Sequence, residues 1–496
     1  MLRGKVRAVI PALLLPLAWP AALPAQNGTP APNKAVSAPS AGKSSAPRVA
    51  EAMQSLADWV KGRHGALSAR VSAADTGAIW AEADPRQALN PASNMKLLTA
   101  ATALDRLGAE YRFSTGLYGE NAGGRVDPLV LRGQGDPSLA LSDLWQLARA
   151  LHHLGVTRVG NILVDQSRFD EQFVPPAFEQ QPNEWAAFRA PVSAVALERN
   201  AVTLFVLPAR AGEAARAWFD PPGVVTMDGS VETRKAGSGE AIQLTMEARP
   251  DALIGHVGGH VSEGMPRFSF DRRMDDPRRA PGLALRAILA ESGIEVQGGV
   301  ALGGADVKPR LVFHESAPLS ALLVELGKNS DNFYAEMLLK ALSADSGAAP
   351  ARSQDGARVV LGWLSEHGLA APDTRVENGS GLFDANRVSA ATLVGVLEAV
   401  YKSPALYPEF LAQLSTGGVD GTLRSRFKTL PVRRMVRAKT GTLSAAIGLS
   451  GYVLSARGQA PIAFSFLING IEGYVGEARQ RIDQVVAAIA KTRSER

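Results

Sequence analysis

Apolar positions change their spacing five times along the chain. Over residues 67–83 they alternate in the run LSARVSAADTGAIWAEA, which predicts two strands joined at Asp75-Thr76-Gly77. Asn90-Pro91 then opens a helix, since an Asn side chain caps orphan N–H groups and proline suits the first turn. Met95, Leu98, Leu104 and Leu107 recur at helical spacing and give that helix a buried face. From about Tyr111 to Val300 short strand-like runs dominate, at 127–132, 159–165, 201–207 and 241–247, with Gly and Pro between them. Helical spacing returns at 319–327, 332–342, 357–367 and 388–401. Three strand candidates follow at 435–438, 447–454 and 462–467, then an amphipathic helix at 477–491. The pattern predicts an α/β (α+β) fold. Residues 51–110 and 305–496 build one domain from both ends of the chain, and 111–304 form a β-rich insertion.

Composition narrows the class. The chain has 496 residues, 46% hydrophobic and 20% charged, which suits folded domains and excludes wholesale disorder. Cysteine is absent, so disulfide scaffolds, thiolate metal sites and a cysteine nucleophile are excluded. Residues 1–25 have the form of an export signal: Arg3, Lys5 and Arg7, an apolar stretch, and Leu23-Pro24-Ala25 as a cleavage site. Pro11, Pro16, Pro20 and Pro24 would break a spanning helix, and no other long apolar run exists, so no transmembrane segment is expected. Residues 26–50, rich in Pro, Ala, Ser and Gly, read as a flexible linker. Removing the signal takes away three cations and no anions, so the net charge of +5 falls to about +2. A nucleic-acid partner thereby loses its main support. The expected location is periplasmic or secreted, in the cell envelope.

Three short motifs carry the chemistry. They are Ser93-Asn94-Met95-Lys96, Ser330-Asp331-Asn332 and Lys439-Thr440-Gly441. Taken singly, each has a bland reading: a helix-start serine, a helix cap, one cation in a basic run. Together and in this order they point to a serine acyl-transfer enzyme. Ser93 and Lys96 are three apart at a helix start and share a face. A serine hydroxyl needs a base, and a desolvated amine beside a second cation has the lowered pKa to act as one. Lys439 is that second cation and a dock for a carboxylate. Ser330 relays a proton to the leaving amine, and Asn332 holds Lys96 and a substrate amide. Gly441 lets a peptide backbone approach the strand, with Thr440 and Thr442 beside it. The N–H groups of Ser93 and Thr442 are candidates for an oxyanion hole.

The chain resembles the D-alanyl-D-alanine carboxypeptidase/endopeptidases of the class C low-molecular-mass penicillin-binding proteins, from about Gly65 to Gly473. Beyond the three motifs the resemblance includes Gly135-Asp136-Pro137, Val164-Asp165-Gln166-Ser167-Arg168-Phe169, Asn332-Phe333-Tyr334-Ala335-Glu336, Asn378-Gly379-Ser380-Gly381-Leu382 and Gly418-Val419-Asp420-Gly421-Thr422-Leu423. A long insertion between the first two motifs is similar to this family and unlike a plain β-lactamase. The resemblance implies a penicillin-binding, β-lactamase-like transpeptidase domain with β-rich inserted domains. It implies hydrolysis of peptidoglycan stem peptides through an acyl-enzyme on Ser93, and covalent inhibition by β-lactams. It also makes Asp165 a candidate for the amine of diaminopimelate, while Asp384 stands where relatives often carry Arg. Two other classes share these motifs: a β-lactamase or esterase on the same core, and a non-catalytic peptidoglycan-binding protein.

The remaining candidates are weaker. His256 and His260 sit four apart, but Gly255, Gly258 and Gly259 argue against a helical metal pair, so no metal is expected, and no cofactor. The terminal helix has the form of a peripheral membrane contact. Its apolar positions Ile482, Val485, Val486 and Ile489 pack more simply on the domain.

Overall fold

Strands Ala446–Val453 and Ile462–Asn469 are buried along almost their whole length, so the sheet they share needs cover on both faces. In the computed structural model that sheet has six antiparallel strands, in the order Ile79–Ala83, Ala66–Ala73, Ile462–Asn469, Ala446–Val453, Val436–Thr442, Ser415–Thr416. The structure describes residues 46–496 apart from 183, 250, 251, 308, 430, 431, 456 and 496. The expected export signal and residues 26–45 of the linker lie outside the described residues.

In chain order the helices are α1 (Pro47–Lys61), α2 (Met95–Leu107), α3 (Leu141–His153), α4 (Ala280–Glu291), α5 (Leu319–Lys328), α6 (Asn332–Asp345), α7 (Ser353–Glu366), α8 (Ala390–Lys402), α9 (Tyr407–Gln413) and α10 (Val475–Glu495). Helices α1 and α10 cover one face of the six-stranded sheet: Val49, Met53 and Leu56 share a core with Ile482, Val485, Val486, Ile489, Phe464 and Phe466. Trp59 Nε1 donates to Glu477 Oε1 at 2.6 Å and ties the pair together. The apolar stripe of α10 is therefore spent on this core, as expected for Ile482, Val485, Val486 and Ile489. Among the described residues no helix is long and apolar enough to cross a membrane. Helix α1 begins at Pro47, so residues 47–50, expected in the linker, are its first turn; proline at the helix start needs no N–H partner.

Helix α2 lies on the other face, among α5 to α9. Every residue from Met95 to Leu104 is buried, so it is a central helix and not one with a single apolar stripe. The chain leaves this body after α2 through strand Ser114–Tyr118 and returns through Arg310–Glu315, which pairs antiparallel with it. The returning strand completes a five-stranded sheet in the order Val300–Leu302, Ile162–Asp165, Leu129–Gly133, Ser114–Tyr118, Arg310–Glu315. Residues 310–315, expected in the outer domain, thus belong to the inserted sheet, because the outgoing and incoming strands satisfy each other's backbone groups. The insertion also carries α3 and α4, whose Leu144, Leu147, Leu285 and Ile288 share its core.

Candidate active site

The site begins with a loop held by two asparagines. Asn90 N–H donates to Asn469 Oδ1 at 2.8 Å, and Asn469 Nδ2 donates back to Asn90 O at 3.1 Å, fixing the loop to the end of a central strand. Asn90 Oδ1 accepts from Ala92 N at 2.9 Å. That bond organises a 3₁₀ turn, Ala92–Asn94, ahead of α2, so the expected cap acts one turn earlier than the helix itself. Ser93 sits in this turn and Lys96 in the first turn of α2. Lys96 Nζ lies 3.1 Å from Ser93 Oγ.

The second motif divides its labour. Asp331 caps α6, its carboxylate accepting from Tyr334 N at 3.1 Å. The bland reading of the motif as a cap is true of this middle residue. Its neighbours reach inward. Asn332 Oδ1 accepts from Lys96 Nζ at 2.7 Å, and Ser330 Oγ accepts from Lys439 Nζ at 2.7 Å. Ser330 has φ 58°, a left-handed conformation that places its hydroxyl against Lys439.

The third motif lies on strand Val436–Thr442. Lys439 and Gly441 are two apart and share the face toward α2. A Cβ on Gly441 would come within 2.6 Å of Asn94 Nδ2 and 2.9 Å of Pro91 O. This corrects one expectation: the backbone that Gly441 admits on this face is the Ser93 turn of the protein itself. Strand Ser415–Thr416 pairs with Arg437 and Ala438, and among the described residues no strand pairs with this edge beyond Ala438. Leu443 N–H donates inward to Ala446 O. By the alternation of an antiparallel ladder, the N–H of Thr442 then points out from the open edge. Thr442 and Ser93 line one cavity of about 760 Å³, together with Ser330, Asn332, Phe188 and Leu382.

Burial sets the electrostatics. Lys96 is fully enclosed, and loss of water pulls its amine down to about 7, against the opposing pull of Glu336 and Asp331. Desolvation, and then the nearby charge of Lys96, holds Lys439 well below the usual lysine range. The amine of Lys96 has three neighbours. Asn332 Oδ1 and the carbonyl of Ser380, each at 2.7 Å, are acceptors only. A neutral amine gives its two N–H groups to these and turns its lone pair toward the hydroxyl of Ser93.

A profile of the family described as D-Ala-D-Ala carboxypeptidase 3 (S13) matches residues 52–492. The chain belongs to the S13 family. As such it is a serine-type D-Ala-D-Ala carboxypeptidase, a hydrolase of the penicillin-binding class. It is 33% identical to a D-alanyl-D-alanine carboxypeptidase of Actinomadura sp. (strain R39), over 80% of this chain and 76% of that protein. To a D-alanyl-D-alanine carboxypeptidase of Haemophilus influenzae it is 26% identical, over 76% and 80%. The fold matches penicillin-binding protein 4 of Haemophilus influenzae at a TM-score of 0.74 and 24% identity, over 88% of this chain and 98% of that one. It also matches a predatory endopeptidase of Bdellovibrio bacteriovorus, solved acylated by penicillin G, at a TM-score of 0.51 and 17% identity, over 86% and 94%.

In this S13 carboxypeptidase Ser93, Lys96, Ser330, Asn332, Lys439 and Thr442 come together, and Thr440 and Gly441 complete the strand beside them. Asp165 does not join them. Its carboxylate is buried, receives Arg132 Nε at 2.5 Å and the N–H of Ser167 at 3.0 Å, and borders a separate cavity. Here Asp165 ends its strand and orders the following turn. Asp384 does line the catalytic cavity, paired with Arg387 at 2.6 Å. Sequence reasoning gave no role to Glu336, Ser380 or Phe188. Glu336 had a signal, since it follows Asn332 by four positions and so shares its helical face. Phe188, whose carbonyl accepts from Asn332 Nδ2 at 3.0 Å, lies in the insertion and had none.

Proposed function

We propose that Ser93 is the nucleophile of a D-alanyl-D-alanine carboxypeptidase/endopeptidase that hydrolyses peptidoglycan stem peptides in the cell envelope. The observation that carries this reading is the amine of Lys96, 3.1 Å from Ser93 Oγ with acceptor-only partners on its other sides. Lys96 takes the hydroxyl proton as Ser93 Oγ attacks the carbonyl before the terminal D-Ala. The tetrahedral oxygen receives the N–H groups of Ser93 and Thr442, the latter at the open strand edge. An extended stem peptide adds to that edge as a further strand. Lys439 faces the terminal carboxylate, and Ser330, hydrogen-bonded to Lys439, passes a proton to the departing amine. The C–N bond breaks, D-Ala leaves and Ser93 carries the acyl group. Water then attacks the ester and restores the hydroxyl.

The same steps cut a D-Ala–diaminopimelate cross-link, where the leaving amine belongs to a second stem. A β-lactam offers a strained amide to Ser93 whose leaving nitrogen stays tethered, which accounts for slow release. The export signal expected at residues 1–25 supports a periplasmic or secreted site of action. Digestion of purified muropeptides, read by mass, tests the proposal. Loss of one alanine from pentapeptides, or conversion of cross-linked dimers to monomers, is expected of the wild type and not of Ser93→Ala. Unaltered muropeptides with a folded wild-type protein would refute it.

A further inference from the structure

Lys96 depends on a carbonyl that is itself held in place. The loop Asn378-Gly379-Ser380-Gly381 lies between α6 and the Ser93 turn. Thr99 Oγ1 donates to Gly379 O at 2.8 Å, and a Cβ on Gly381 would collide with Ala92 O. On the α6 side the amides of the loop are held by a carboxylate. Glu336 is wholly buried, and its two carboxylate oxygens accept from Ser380 N at 2.8 Å and Gly379 N at 3.2 Å. Ser380 then presents its carbonyl to Lys96 Nζ at 2.7 Å. The chain of direct hydrogen bonds runs from Glu336 through the backbone of Ser380 to the amine.

We propose that Glu336 is a positioning residue for the general base, locking the Gly379–Ser380 backbone that aims the Lys96 lone pair at Ser93. This rests on the reading of Lys96 as that base. The carboxylate has a second consequence, because it is a buried acid whose charge acts on Lys96. Burial pushes its own carboxyl up, while the Ser380 hydroxyl, the two backbone donors and Lys96 pull it down. Both its oxygens act as acceptors toward the loop amides, which suits the ionised form. The other charged groups around the pair are Lys439 on its strand, Asp331 at the start of α6, and Lys340 one turn along α6. Lys340 is paired with Asp170 of the insertion at 2.5 Å. Glu336 therefore does two things to Lys96. It fixes the direction of the lone pair, and its charge keeps the amine from shedding its proton too far below neutrality.

The two effects separate in a pH profile. The probe is fluorescent penicillin, and the readout is its acylation rate constant on the full chain across pH 5 to 9. The wild-type rate is expected to rise as Lys96 deprotonates. Glu336→Gln removes the charge, so the rising limb moves to lower pH by roughly one unit. The plateau falls roughly tenfold, because an amide cannot accept from both N–H groups. Glu336→Asp keeps the charge and loses reach: its limb stays near that of the wild type while its plateau falls. A merely structural role would lower the plateau and leave both limbs in place, which would overturn the proposal. So would a Gln variant that acylates at the wild-type rate.

Lys96→Ala separates this proposal from the reading beneath it. If the limb survives in Lys96→Ala, the base assignment fails and the Glu336 role falls with it. If Lys96→Ala erases the limb and Glu336→Gln does not move it, the Glu336 role alone fails. Should the Glu336 variants not fold, hydrogen exchange on the wild type decides. The amides of Gly379 and Ser380 are expected to exchange slowly, and exchange at the rate of open loops would overturn the lock.

Discussion

A lysine enclosed by protein is costly unless its amine is neutral, and Lys96 is held near neutrality by that enclosure. Catalysis through it should follow the free amine. Acylation by penicillin is therefore expected to increase about tenfold per unit as pH rises toward about 7 and to level off above it. Lys96→Ala should slow it by roughly a hundredfold or more and remove the dependence. A flat wild-type profile measured by stopped-flow labelling would speak against Lys96 as base. The motif residues were legible in sequence because acyl transfer needs a nucleophile, a base and a second cation of particular types at short local spacings. The place of Asp165 was not legible at the same scale. Its partner Arg132 lies directly across a parallel strand pair, and that register has no trace in local sequence. Glu336 was legible as a neighbour of Asn332 on α6, but its task depends on the loop at Gly379, which only the fold brings close.

The elements work by close approach. The Val436–Thr442 strand packs on the Ser93 turn with no room for a Cβ at Gly441, so this glycine sets the distance between the nucleophile and the open edge. Gly441→Ala is expected to displace the turn, lower stability by about 1–3 kcal/mol and reduce acylation more than tenfold. Gly362→Ala is the control. It lies in α7 with nothing near its added carbon and should raise stability by about 0.5–1 kcal/mol with acylation unchanged. Thermal unfolding and labelling of both variants provide the check. The strands and helices of the body were largely legible, since their periods of 2 and 3.6 are strong. Their ends moved where tertiary contacts took over, as where the expected strand 435–438 runs on to Thr442. Helix α2 buries both its faces, a state that periodicity does not report.

At the scale of the whole molecule, the insertion reaches back to the catalytic body. Phe188 receives Asn332, Arg199 meets Asp331 at 3.1 Å, and Asp170 holds Lys340. All three contacts fall on α6 or its cap, so the insertion braces the helix that carries Asn332 and Glu336. No sequence pattern announces contacts across such separations, and the end of the insertion was placed too early for the same reason: its closing strand is defined by its partner at Ser114–Tyr118. What the molecule as a whole is built to do is present one serine hydroxyl to a D-Ala carbonyl. The most direct measurement is to treat the folded protein with penicillin, digest it, and locate the adduct by mass spectrometry. One penicilloyl group per chain, on the peptide containing Ser93 and absent from Ser93→Ala, is the expected result. A stable adduct on another residue, or none on a folded wild-type protein, would contradict the assignment.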